Sequence, residues 1–338
     1  MRLYCGIDLH SNNSYPVVID DRDLVIYQRR LQNNLELILQ ELSPYAEQLV
    51  GIAVESTFNW YWLVDGLMDA GYRVHLANPG AMQQYKGLKH ADDRSDGRWL
   101  AHMLRMGALP EGYIYPREQR ALRDLLRKRG RLVQQRTANL LSLKNLVHRN
   151  TGQRLAVRAL RSMDFAELEP GQADPNRTLA LEATRRVIEC YDGEVQRLEQ
   201  EILRQLKPDP LLPLLKTVAG VGEVLAPTIR LETGDIGRFA SAGKYVSYCR
   251  SVGSQHLSNG KPKGKGNRKN GNPYLAWAYV EAAHFAIRYH GPVRRFYERK
   301  QARTHHVVAL KAVAHKLARA SYYVMRDQVP FEIGLAFG

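Results

Sequence analysis

Over the first hundred positions apolar residues alternate with polar ones or gather in short runs, and each run closes on a turn-forming cluster. Residues 2–7, 14–19 and 24–30 read as three successive strands, rich in β-branched and aromatic side chains. Helical 3,4 spacing follows at 35–42, then a compact apolar run at 49–55 carrying Val50, Ile52 and Val54. The spacing predicts a helix over 60–70, a strand over 72–77 and a helix over 93–106. Three strands followed by alternating helix and strand is an α/β pattern, a sheet that needs helices to cover it.

The pattern changes at 117–158. An apolar stripe of Leu122, Leu125, Leu132, Leu140, Leu143 and Val147 runs beneath twelve Arg and Lys residues, with only Glu118 and Asp124 as local acids. One long basic amphipathic helix is expected, its arginines and lysines forming a nucleic-acid surface. Candidates on it are Arg127, Lys128, Arg129 and Arg131. A connector with Pro170, Gly171 and Pro175 spans 164–176. Leu181, Thr184, Ile188, Tyr191, Val195, Leu198 and Ile202 then make a heptad seam, suited to a hairpin within the chain or to a coiled coil between copies. Pro208, Pro210 and Pro213 end that segment, and the remainder is mainly helical, with strong helices at 274–289 and 307–325. The expected organisation is an α/β domain over 1–115, a basic helix and coiled-coil segment over 116–207, and a mainly helical domain over 208–338.

Charge narrows the class of partner. The 338 residues carry a formal net charge of +15, which points to a polyanion, most commonly nucleic acid. Cys5, Cys190 and Cys249 are scattered and odd in number, so neither a disulfide framework nor a Cys-based zinc site is expected. No apolar run has the length of a membrane span, and no basic segment followed by an apolar stretch opens the chain. A cytoplasmic protein with no membrane partner is expected.

The candidate chemistry is acidic. Asp8 closes the first strand in CGIDLH, Glu55 closes the run AVEST, and Asp93 and Asp96 share one face of the helix opening in ADDRSDGRW, with Asp92 an alternative to Asp93. Hard cations such as Mg²⁺ take oxygen ligands, and two of them about 3.5–4 Å apart stabilise both oxygens of a phosphodiester displacement. VAGVG at 218–222 reads as a glycine-flanked turn between short helices, whose free N–H groups at Gly220 and Gly222 suit a phosphate, as in a helix-hairpin-helix. Residues 258–273 form a Gly-, Asn- and Lys-rich loop with Lys261, Lys263, Lys265, Arg268 and Lys269, able to close on a phosphate backbone. A serine beside it could attack phosphorus and hold the strand covalently, and the local sequence leaves Ser251, Ser254 and Ser258 open.

Taken together, GIDLH, AVEST, DxxDGRWLA, VAGVG, KYVSYCRSVGSQHLSNG and the basic loop resemble, in order and over nearly the whole chain, the DEDD-type transposases of the insertion sequence one-ten family and its eleven-eleven subgroup. The element order at the N-terminus is also that of the ribonuclease H-like fold. The resemblance implies an N-terminal domain similar to the junction resolvase RuvC, a Mg²⁺ tetrad of Asp8, Glu55, Asp93 and Asp96, and a nucleophilic Ser258. It further implies RNA-guided strand exchange in the bacterial cytoplasm. A bridge or seek RNA would pair with donor and target DNA, and the protein would act as a homodimer or homotetramer. Two departures stand out: His90-Ala91-Asp92-Asp93 where many members have Lys-Thr-Asp, and Asn259 where others often have Gly. Competing readings are a metal-dependent junction-resolving endonuclease with no serine step, a sugar or acetate kinase, and a non-catalytic RNA- or DNA-binding protein. The charge and the absence of a second glycine-rich phosphate loop count against the kinase.

Overall fold

The computed structural model describes residues 1–82, 93–168, 174–252, 255–259, 261–265 and 270–338; within these, 93, 94, 167, 255–258 and 262–265 are described by backbone alone. The chain forms two compact units, Met1–Arg117 with Ser254–Asn270, and Glu118–Gly253 with Gly271–Gly338.

The first unit is built on a mixed sheet. Strands β1 (Leu3–Leu9) and β2 (Asn13–Asp20) are buried along their whole length, the polar Asp8, Asn13, Ser14 and Asp20 included. They pair antiparallel, and β2 pairs antiparallel with β3 (Val25–Gln28) and with the two-residue β4 (Leu31–Gln32). After α1 (Leu35–Leu42), whose first turn is capped by the Asn34 side chain, β5 (Leu49–Glu55) returns parallel to β1. Helix α2 (Tyr61–Asp69) then leads to β6 (Val74–Ala77), parallel to β5, for a strand order β3-β2-β1-β5-β6. The short α3 (Pro79–Met82) and α4 (Asp93–Arg105) follow.

Period-2 alternation divides the sheet's faces. Cys5, Ile7, Ile52 and Val54 pack on Ile38 and Leu42 of α1 and Leu63 and Leu67 of α2. Full burial of each such side chain contributes about 1.5–3 kcal/mol. Tyr4, Val17 and Ile19 turn the other way with Ala101, and Ala53 and Ala77 with Leu100, so α4 covers the second face. Part of the expected 258–273 loop is instead a hairpin, β7 (Gln255–Ser258) antiparallel to β8 (Lys261–Lys265). Asn259-Gly260 is the strongest two-residue turn signal for such a hairpin, and Asn259 has φ +54°. That left-handed position is one that Gly or Asn takes readily.

The second unit is helical. Helix α5 (Arg117–Thr151) confirms a long basic helix but stops short of 158, because Gly152 turns to φ +70° and α6 (Val157–Ser162) starts afresh. Helix α7 (Pro175–Leu206), opened by an Asp174 cap and Pro175, lies antiparallel to α5. Leu181 and Ile188 meet Leu143 and Val147, while Ile202 and Leu206 join Leu126. The heptad seam is therefore used inside the chain, as a hairpin. Helices α8 (Leu211–Lys216), α9 (Leu225–Thr233), α10 (Ala242–Tyr248), α11 (Pro273–Tyr289), α12 (Gly291–Gln301), α13 (His306–Asp327) and α14 (Ile333–Phe337) complete it. Ala278, Ala282 and Ala286 of α11 share one core with Val313, Ala314, Leu317 and Ala318 of α13. Helix α12 escaped the sequence reading because it buries only Val293 and so shows little apolar periodicity.

Candidate active site

Strand register brings the first two acids together. β1 and β5 run parallel with Gly6 opposite Ala53 and Ile7 opposite Val54. Asp8 and Glu55 are the next residue on each strand, so they stand side by side at the carboxyl ends, on the sheet face that α4 covers. Two glycines let α4 come close. A methyl group on Gly6 would lie 2.1 Å from the Gly97 carbonyl oxygen, and one on Gly97 would lie 2.7 Å from that of Tyr15. With backbone against backbone at that crossing, Asp96, the residue before Gly97, reaches the field of Asp8. The turn between β2 and β3 ties the same helix down: Asp23 accepts from Arg98 at 3.2 Å and contacts His102 Nδ1 at 2.8 Å and Arg105 at 3.5 Å.

Asp8 is 2% exposed. Burial, the adjoining Glu55 carboxyl and the charge of Asp96 push its pKa up to about 7, against a partial opposing pull from His10. Its Oδ2 is buried without a hydrogen-bond partner, and His10 Nε2 lies 3.2 Å away. His10 is itself held by its backbone carbonyl, which accepts from Asn33 Nδ2 and Asn59 Nδ2, each at 3.0 Å. Sequence reasoning assigned no role to His10, although its place two residues past Asp8 was a readable signal. Crowded carboxylates around a buried, unsatisfied oxygen are the donor chemistry of a hard cation. Among the described side chains no three His, Cys, Asp or Glu residues are grouped tightly enough to enclose one. The Asp93 side chain and all of Asp92 lie outside the described residues.

The other candidates fare variously. Ser258 ends β7, its backbone paired with Lys261, and its side chain lies outside the description, as do Ser254, Arg268, Lys269 and the side chains of Lys263 and Lys265. Lys261 is exposed, and Ser251 hydrogen-bonds the Cys249 carbonyl. On α5, Lys128 and Arg131 are exposed, whereas Arg127 donates to Glu232 at 2.6 and 2.9 Å and Arg129 to Glu199 at 2.7 Å. The opposing acids come from other helices, which a count along α5 could not register. VAGVG does join two short helices. Gly220, at φ +79°, packs so that a methyl group would meet the Ala282 carbonyl oxygen at 2.1 Å, while Gly222 is exposed with open space around it.

A DEDD-type IS110 transposase model matches residues 5–150, and a model of the IS116/IS110/IS902 transposase family matches residues 212–298. A "Probable family 20 transposase" of Pseudomonas aeruginosa is 23% identical over 84% of this chain and 83% of its own length. The transposase for insertion sequence element IS1111A of Coxiella burnetii is 25% identical over 84% of this chain and 78% of its own. The two family models together take in more than half of the sequence, and the chain belongs to the IS110 family of transposases. Among the described residues no helix is long and apolar enough to cross a membrane.

Proposed function

We propose that this transposase cuts and rejoins DNA strands by phosphoryl transfer at a divalent-cation site, best filled by Mg²⁺, formed by Asp8, Glu55, Asp93 and Asp96. The observation that carries the reading is Asp8, buried at a strand end among like charges, with an oxygen left unsatisfied. A bound cation would supply charge neutralisation at the attacked phosphate and at the leaving oxygen. The chain's own part is to hold the carboxylates on two strand ends and one helix and to orient Asp8 through His10.

Ser258 is the proposed nucleophile. Its Oγ bonds to phosphorus and its proton passes to solvent or a nearby base. The bond to the departing strand oxygen breaks, and that oxygen takes up a proton. The phosphoserine ester retains the energy of the broken bond, so a second strand hydroxyl can displace the serine and reseal the backbone. Support comes from the segment Ser254–Asn270 belonging to the same compact unit as the acids. The family resemblance adds guidance by a bridge or seek RNA, donor and target DNA as substrates, and a homodimer or homotetramer as the working form, in the bacterial cytoplasm.

The experiment pairs Asp8→Asn with Ser258→Ala on a nicked substrate carrying the element's end. Asp8→Asn is expected to give neither covalent adduct nor product. Ser258→Ala is expected to lose the DNA-linked peptide. A Ser258→Ala protein that cuts without any adduct in the wild type would instead favour the junction-resolving endonuclease.

A further inference from the structure

Helix α11 buries one side and leaves the other bare. Leu275, Ala278, Tyr279, Ala282, Ala283 and Ala286 form its buried side. The flank beside it carries Trp277, Phe285, Arg288 and Tyr289, all exposed, strung along one edge of the helix. Trp277 is 45% exposed, Phe285 47% and Tyr289 65%. The rings of Phe285 and Tyr289 are nearly parallel, 9° apart in plane with centroids 6.5 Å apart, and the Arg288 guanidinium lies 5.3 Å from the Tyr289 ring centre. Phe285 and Tyr289 thus form a stacked aromatic pair open to solvent, with Trp277 about two turns back along the same flank.

Charge selects the occupant. Arg294, from the first turn of α12, donates to the Ile287 carbonyl at 3.1 Å and to that of Arg288, so a second guanidinium stands at the tail of the aromatic stripe. Arg295, Arg299 and Lys300 are exposed beyond it, and Glu298 is the sole acid between Arg288 and Lys311. The half-buried Glu281 is the one acid on the stripe itself. A second copy of the chain laid on this face would set arginine against arginine, a costly juxtaposition. A polyanion with flat apolar groups satisfies both features at once. Base faces are hidden inside a duplex and free in a single strand.

We propose that this face of α11 is a stacking platform for the bases of a single-stranded nucleic acid, with Arg288 and Arg294 holding its phosphates. The inference rests on the strand-transfer reading, in which strands must part. Neither the basic helix α5 nor the Lys-rich segment offers comparable exposed rings among the described side chains.

The test uses the full-length protein, an end-labelled oligothymidylate and a matched duplex, in a chelating buffer so that the cation site plays no part. Stacking on one ring contributes roughly 1–3 kcal/mol per base, so Phe285→Ala with Tyr289→Ala is expected to weaken single-strand binding about tenfold or more. Duplex affinity and the salt slope should hold. Arg288→Gln is expected to flatten the single-strand slope by about 0.7. Phe285→Tyr with Tyr289→Phe, which keeps both rings, should bind as the wild type does and controls for folding. Unchanged single-strand affinity in the double alanine variant overturns the proposal, as does an equal loss for duplex. A change of oligomeric state in that variant without a change in affinity assigns the face to a protein partner and also overturns it. Failure of the strand-transfer reading looks different: the wild-type protein would then neither cut nor rejoin strands in Mg²⁺, whatever its affinity for the oligothymidylate.

Discussion

Two buried carboxylates, one in each unit, have opposite surroundings. Asp8 sits among acids, so burial, Glu55 and Asp96 raise its pKa to about 7 with only His10 opposing. Glu232 is fully buried on α9, and burial alone would raise it too. Instead Arg127 and Arg123, with Asn272 Nδ2 at 2.7 Å, outweigh that and hold it below its ordinary value. Glu232 is a finished interaction: two guanidiniums, an amide, and nothing left for a ligand. Asp8 is an unfinished one, costly to the fold unless a cation or a proton arrives. A buried charge that its own protein neutralises marks architecture, and one that it leaves crowded is a candidate for chemistry.

The largest expected effect is on activity. Asp8→Ala should lower strand cleavage about a hundredfold or more if, as proposed, it helps hold a cation, which would supply several kcal/mol of charge stabilisation. The same change at Glu232 should act on stability instead. Glu232→Ala leaves the half-buried Arg123 and Arg127 without their shared carboxylate and is expected to cost about 3 kcal/mol, the low end for a buried ion pair, read as a drop in the urea midpoint. A Glu232→Ala protein that melts normally would break the contrast. At the crossing of α4 over the sheet, Gly97→Ala should cost about 1–3 kcal/mol and also reduce cation binding, because the helix must back away from β1. Calorimetric titration with Mg²⁺ would show it.

The two acids also predict opposite pH slopes. Asp8 binds its proton more tightly folded than unfolded, so without metal its contribution falls as pH rises from its ordinary 3.8 toward about 7. Glu232 binds its proton less tightly folded. Its stabilisation is present above the ordinary glutamate range and is lost as pH falls through its lowered value. Thermal melts of Asp8→Asn in chelator should lack the decline that the parent shows as pH rises from its ordinary 3.8 toward about 7, while added Mg²⁺ should reverse the sign of that slope. Smallest of all, Lys128→Gln with Arg131→Gln, two exposed cations on α5, should flatten the salt dependence of duplex binding by about 0.9 for each phosphate that the pair neutralises. An unchanged slope would remove this stretch of α5 from the DNA surface.

Element order was legible because burial leaves a periodic signature. The strands that became β1, β2 and β5, the helices α1, α2 and α4, and the seam of α7 were each visible as spacing. Asp8 and Glu55 stood out because an acid closes an otherwise apolar run. Hidden were features made by partners distant in the chain. The twelve cations at 117–158 are opposed locally only by Glu118 and Asp124, yet Glu199, Asp192 and Glu232 reach Arg129, Arg136 and Arg127 from 56 to 105 residues away. Asn259, where many members have Gly, takes a left-handed backbone that only the folded hairpin reveals.

The sequence alone determined the kinds of element, their order, the location of the acids at strand ends and the family, because periodicity and local turn chemistry are short-range properties. Tertiary structure decided which arginines are taken up by internal acids, whether the heptad seam turns inward, how Gly6 and Gly97 let Asp96 approach Asp8, and that His10 stands beside that carboxylate. Those outcomes depend on contacts between segments tens of residues apart. The energy of such a contact depends on the geometry of both partners at once, which no single stretch of sequence specifies.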